Sequence, residues 1–185
     1  MDPNTQDPQG LIRQAKKGDK EAFDKLYKMY FVPVFRYVYL RTHDKQETED
    51  IVQEVFMKVY KSIENYTDQG KDPLAYFFTI ARNKVIDFYR KKKNVSLDEN
   101  LESFEQLESR NNNPEELFEQ NENARMVNLA IQSLNDTQKE VVILKYINGF
   151  DNDQITQILG KKEDAIRQIQ HRALKVLKQK LKGRL

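Results

Sequence analysis

The residues best equipped for chemistry stand near the C-terminus. Lys161, Lys162, Arg167, Gln168, His171, Arg172 and Lys175 supply cationic, amide and imidazole groups within fifteen positions. Such groups hydrogen-bond base edges and phosphates, so the chemistry they offer is recognition. In helical register Ile166, Ile169, Ala173 and Leu177 form a buried stripe, while Asp164, Arg167, Gln168, His171, Lys175 and Lys178 point away from it. Lys161 and Lys162 precede the helix, where phosphates dock. A solvated face of a plain bundle would carry similar residues. What favours DNA is the segment before it: Asp151 caps NDQITQIL, Gly160 ends it, and a longer basic helix runs from about Glu163 to Lys182. A short helix, a glycine turn and a longer basic helix make a helix-turn-helix signature.

A second candidate is the segment opened by Asp72-Pro73, with Pro at the first helical position, running to about Lys92. At 100° per residue, Leu74, Phe77, Phe78, Ala81, Val85 and Phe88 share one side. Tyr76, Ile80, Asn83, Asp87 and Arg90 fall opposite, flanked by Lys84 and Lys91, and Arg82 lies in the same run. Rings beside cations suit single-stranded DNA, whose bases stack while its phosphates follow the charge. Phe77 and Phe78 are core by position, which leaves Tyr76 as the stacking candidate. A third cluster, Glu47, Glu49, Asp50 and Glu54, reads as a solvated or protein-binding face. The two histidines, His43 and His171, do not give the Glu-x-x-His spacing of a carboxylate metal bundle. No metal or cofactor is expected. Neither a Gly-rich phosphate loop nor a nucleophile–base set occurs, so no enzymatic activity is expected.

These residues need long helices to position them. The chain of 185 residues has six Gly and five Pro, too few turn formers for many short strands. A short helix is expected over 9–17. Asp19 caps the next, whose apolar positions Phe23, Leu26, Tyr27, Tyr30, Val34 and Val38 keep helical spacing, with Pro33 expected to kink or interrupt it. Asp44 with Glu47 opens a third helix, striped by Ile51, Val52, Val55, Phe56, Val59 and Ile63. NYTDQGK is a loop by composition. Beyond the linker, Asn113-Pro114 starts a helix through LFEQNENARMVNLAIQSL, and Asp136 caps TQKEVVILKYIN, ended by Gly149. The expected fold is all-α: two small helical domains joined by a flexible acidic linker, the second holding the helix-turn-helix.

Charge marks the same division. Residues 1–93 hold 18 Lys/Arg against 14 Asp/Glu, residues 94–124 one Arg against nine acids, and residues 125–185 12 Lys/Arg against six acids. Two basic blocks flanking an acidic one point to polyanion contact at both ends, although charge also fluctuates along solvated helices. The expected limits are 9–93, an acidic linker over 94–124, and 125–185. The absence of cysteine excludes disulfides and thiolate chemistry. With a polar, acidic start and no apolar run of membrane-spanning length, a cytoplasmic protein is expected.

Three segments resemble the sigma-70 superfamily of RNA polymerase sigma factors, in its extracytoplasmic-function branch. In TEDIVQEVFMKVYKS, Asp50, Gln53, Glu54 and Phe56 match a D-x-x-Q-E-x-F pattern. DPLAYFFTIARNKVIDFYRKKK matches at Ile80-Ala81-Arg82-Asn83 and on through Asp87 and Arg90. LNDTQKEVVILKYINGFDNDQITQILGKKEDAIRQIQHRALKVL resembles the family's helix-turn-helix region. The resemblance implies core RNA polymerase and promoter DNA as partners. Asp50, Gln53, Glu54 and Phe56 would dock on polymerase. Tyr76, Arg82, Asn83, Lys84, Asp87, Arg90 and Lys91 would serve the minus-ten element, with a flipped base held by the loop 65–71. Lys161, Lys162, Arg167, Gln168, His171, Arg172 and Lys175 would serve the minus-thirty-five element. Such factors are commonly held by an anti-sigma partner, which no residue here identifies.

The sequence also departs from the family. Lys162, Glu163, Asp164 and Ala165 stand where many members carry Ser or Thr, and Gln168-Ile169-Gln170 replaces Ser-Arg-Leu. Glu163 and Asp164 would repel phosphate and either cap the helix or accept from a cytosine amino group. Two other readings stay open: a stand-alone helix-turn-helix regulator, which needs no IARN-containing helix, and a protein-binding helical adaptor, whose affinity for DNA would show no salt dependence because there would be none.

Overall fold

The computed structural model describes residues 7–68, 73–98 and 122–182, with the side chains of 94–98 and 122–125 left aside. The described residues form two compact units. Among them no strand occurs.

The first unit is a four-helix assembly. Helix α1 (Pro8–Lys16) is capped by Asp7, whose carboxylate accepts from the Gln9 and Gly10 amides. Helix α2 (Lys20–Thr42) is capped by Asp19, as expected. Pro33 neither ends nor divides it. A proline inside a helix costs a hydrogen bond, but Tyr30, Val34, Tyr37 and Val38 are all buried around it, so tertiary packing holds both halves in register. His43 then turns the chain in the left-handed region, with φ 57°. Asp44 caps α3 (Lys45–Ser62) by accepting from the Glu47 amide at 2.8 Å. A 3₁₀ turn (Ile63–Asn65) follows.

Helix α4 spans Leu74–Asp98. It begins one residue later than expected, with the carbonyl of Pro73 ahead of it accepting from the Tyr76 and Phe77 amides. It also continues past Lys92, and past the expected linker start at 94. The physical reason is packing: Lys92 reaches Glu47 on α3 at 3.0 Å and lies 5.5 Å from the Phe88 ring centre, so the basic run packs rather than terminating the helix. Most of the expected linker, residues 99–121, lies outside the described residues, as do residues 69–72 of the loop.

Helix α2 packs against α1, α3 and α4, and α3 packs against α4. Aromatic rings fill the centre. Phe77 sits 4.9 Å from Tyr30 and 5.7 Å from Phe56, and Tyr37 sits 5.1 Å from Phe78. Along α2 runs a ladder of rings one turn apart, Tyr27–Phe31–Phe35–Tyr39, with centroids 5.4, 5.7 and 6.5 Å apart.

The second unit begins in the described residues with α5 (Glu122–Gln132). The expected start of this helix at 113–114 lies outside them. Helix α6 (Asp136–Val142) is capped by Asn135 rather than by Asp136. Asn135 and Gln138 exchange side-chain hydrogen bonds with each other's amides, closing a full capping box that Asp136 has no Glu or Gln at the right spacing to make. A π turn (Ile143–Ile147) extends α6, and Gly149 follows with φ 73°. Helix α7 (Asn152–Leu159) and helix α8 (Glu163–Leu181) complete the unit. Helix α8 packs against α5, α6 and α7 over a core containing Ile131, Ile143, Leu144, Ile155, Ile166 and Ala173.

Candidate nucleic-acid interface

The helix-turn-helix is built as its residues require. Asp151 accepts from the Gln154 amide at 2.7 Å while Gln154 accepts from the Asp151 amide at 3.0 Å, which fixes the start of α7. Gly160 ends it with φ 63°, a conformation that a side chain makes costly. Three residues, 160–162, separate the two helices, and Gln170 donates to Asn152 at 3.0 Å to tie them together. Ile166 and Ala173 are fully buried, with Ile169 and Leu177 half-buried on the same stripe.

All seven residues assigned from sequence to upstream DNA are exposed: Lys161, Lys162, Arg167, Gln168, His171, Arg172 and Lys175. They share the outer side of α8 and its approach. One partner was missed. Glu163 accepts from the Arg167 guanidinium at 2.6 Å, and its carboxylate strengthens that cation's hold on its proton. The i,i+4 spacing was visible in the sequence; the pairing was not.

In the first unit the residues assigned to two partners occupy neighbouring helices. Asp50, Gln53 and Glu54 are exposed on α3. Phe56 is not: it is 4% exposed, packed against Tyr27 at 4.6 Å and Phe77 at 5.7 Å. Its ring supports the α3 face from beneath. On α4, Asn83, Arg90 and Lys91 are exposed, while Arg82, Lys84 and Asp87 are half-buried. Tyr76 is half-buried too, sharing a 2.7 Å hydrogen bond with Ser62 and packing 5.1 Å from Tyr66. In this state its ring is part of the α3–α4 junction rather than an open platform. Arg90 pairs with Asp87 at 3.0 Å.

Among the described residues two ion pairs cross between these helices: Lys84 with Glu54 at 2.6 Å, and Lys92 with Glu47 at 3.0 Å. The Lys84 hydrogen bond holds the Glu54 carboxyl below its ordinary value; partial burial opposes it, and the charges of Lys84 and Lys91 add to the lowering. A carboxyl with a depressed folded value adds stability above its unfolded value, and that stability is lost as pH falls through the folded one. Replacing Lys84 with Met is expected to move the Glu54 titration back up toward an ordinary carboxyl. Carbon-detected NMR titration reads this directly, and an unmoved Glu54 would reject the pairing. The stability consequence is small because Glu54 is 58% exposed.

A two-unit helical chain whose last helix presents a basic, amide-bearing face after a glycine turn belongs to the class of DNA-binding transcription proteins. Comparison with known families narrows the class. Residues 26–95 match the model for sigma-70 region 2, and residues 130–179 match sigma-70 region 4. The chain is 34% identical to the extracytoplasmic-function sigma factor BldN of Streptomyces coelicolor over 171 residues, covering 90% of this chain and 63% of that one. It is 29% identical to SigX of Bacillus subtilis, over 86% of this chain and 83% of that one, and 29% identical to SigW of the same organism, over 92% and 95%. Thus the chain spans rather less than two thirds of BldN but most of the two Bacillus proteins. Among solved structures, CnrH in complex with the cytosolic domain of CnrY shares the fold at TM-score 0.71 and 20% identity, covering 95% of this chain and 97% of that one. The sigma factor RpoE of Bartonella quintana, in complex with the anti-sigma factor NepR, does so at 0.70 and 21%, covering 87% and 97%. This chain belongs to the sigma-70 family of RNA polymerase sigma factors, in its extracytoplasmic-function branch. No described helix is long and apolar enough to cross a membrane.

Proposed function

We propose that this protein binds core RNA polymerase in the cytoplasm and directs it to promoters, where it helps open the DNA. Residues 9–93 serve as the polymerase-binding and minus-ten unit, residues 94–124 as an acidic connection, and residues 125–185 as the upstream-element reader. The observation that carries this is the exposed face of α8 and its approach: Arg167, Gln168, His171, Arg172 and Lys175 stand exposed on the helix and Lys161 and Lys162 on the turn that leads into it, in a chain that also matches region 2. Asp50, Gln53 and Glu54 dock on polymerase with Phe56 beneath them. Asn83, Arg90 and Lys91 meet the minus-ten strand first. Tyr76, Arg82, Lys84 and Asp87 join once their present contacts loosen. Opening needs no ATP: stacking and phosphate contacts to the extruded strand offset the cost of unpairing. An anti-sigma partner regulates access to these faces.

In-vitro transcription with bacterial core polymerase, this protein and a library of random promoter fragments tests the reading. Initiation that depends on the protein and selects two spaced elements supports it. DNA binding without polymerase, and no initiation, would point to a stand-alone regulator. The docking face has its own test. Asp50→Ala combined with Gln53→Ala is expected to weaken polymerase binding about tenfold, or ~1.4 kcal/mol, with the helical content unchanged. Equal affinity in a pull-down titration rejects the assignment.

A further inference from the structure

The first turn of α8 is chemically odd for a helix that meets DNA. Two cations, Lys161 and Lys162, lead into it, and then two acids, Glu163 and Asp164, occupy its start. Farther along, Arg172 and Lys175 are again exposed cations. A DNA phosphate approaching the first turn meets carboxylates, so that turn is the wrong place for a backbone contact. It is a suitable place for base edges, which carry no net charge. Arg167 stands one turn on, 63% exposed in its side chain and bonded to Glu163 at 2.6 Å.

We infer that Glu163 is a positioning residue that turns Arg167 from a phosphate contact into a base reader, and that the base it reads is a guanine of the upstream element. This rests on the reading of α8 given above. Three points support it. The guanidinium has five N–H donors in a fixed fork, and one bond to Glu163 leaves enough for a bidentate contact to guanine O6 and N7. A held guanidinium loses less freedom on binding than a free one. The adjacent carboxylates offset the charge that would otherwise draw Arg167 to the backbone. The flanking cations Lys161, Lys162, Arg172 and Lys175 have no such partner in the acidic turn's reach along α8 and take the phosphate role. The helix thus separates its labour: cations at each end for affinity, a buttressed arginine between them for sequence.

The separation makes opposite predictions for two quantities. Glu163→Gln removes a negative charge, so affinity for unrelated duplex should rise while discrimination at the guanine position falls. A residue that only stabilised the helix would lower both. Holoenzyme is assembled from core polymerase with the full-length protein, wild type or variant, and initiation is sequenced from a promoter library randomised over the upstream element. The wild type is expected to prefer G·C at one position by on the order of 10-fold to 100-fold. Arg167→Ala and Arg167→Lys should flatten that position, the latter because lysine cannot fork. Glu163→Gln should lose most of the preference there and leave the other positions intact. Glu163→Asp keeps the charge at the helix start but falls short of Arg167, and should lose the preference as Glu163→Gln does without the rise in affinity for unrelated duplex. An unchanged profile in Glu163→Gln, a uniform loss at every position, or retention by Glu163→Asp would each overturn the positioning role. A wild type with no base preference anywhere upstream would instead overturn the reading of α8 on which the inference stands.

Discussion

Phe77→Ala should destabilise the first unit by about 3–5 kcal/mol. Phe77 is fully buried where α2, α3 and α4 meet, in ring contact with Tyr30, Phe56 and Tyr76. Removing the ring deletes transfer energy and leaves a cavity lined by other rings, which cannot collapse without losing their own edge contacts. A small domain holds roughly 5–15 kcal/mol in total, so a third or more of its stability is at stake. Circular dichroism on heating should show a melting temperature lower by at least ~10 °C. Polymerase affinity should fall with it, because Phe56 and Tyr76 both lean on this ring. Asn83→Ala, on the exposed side of the same helix, should stay within about 0.5 kcal/mol. A Phe77→Ala loss below that of a surface change would mean the three helices do not converge on this ring.

Ile166→Ala is expected to cost about 2–5 kcal/mol and to act on the second unit. Ile166 is fully buried on the inner stripe of α8, one residue before Arg167. Small units bury a smaller fraction of their surface, so the same cavity is felt more. Loss of this side chain should loosen α8 and abolish upstream-element selection at temperatures the wild type tolerates. Ile166→Val should show a graded loss of about 0.5–1.5 kcal/mol. If Ile166→Ala leaves both melting and selection unchanged, the buried stripe has been assigned to the wrong side.

These two residues were both legible from periodicity alone. So were the caps Asp19, Asp44 and Asp151 and the terminating Gly160, because each acts within four residues of itself. What escaped depends on choices that local pattern does not make. Asn135 and Asp136 are both good caps, and the decision fell to Gln138, whose side chain completes the box with only one of them. The basic run after Arg90 resembled a helix end until Glu47, on another helix, gave Lys92 a partner. Tyr76 fell on the polar side of a helical wheel, yet Ser62 and Tyr66 cover it from outside the helix. Phe56 belonged at once to the apolar stripe and to the family pattern, and burial decides that it works through its neighbours. The Glu163–Arg167 pair lay in plain spacing, but spacing alone offers many such pairs and most contribute little.

The aromatic ladder on α2 also fixes how the molecule can be watched. The chain has nine tyrosines and no tryptophan, and only Tyr146 lies beyond residue 94. Near-ultraviolet absorbance and dichroism therefore come almost entirely from the first unit, with Tyr30, Tyr37 and Tyr39 held in its interior. The second unit contributes one ring that is 53% exposed, and its melting is nearly silent in that optical window. A single tryptophan placed at Leu174, exposed on α8, gives each half its own colour: selective indole excitation follows the second unit while tyrosine dichroism follows the first.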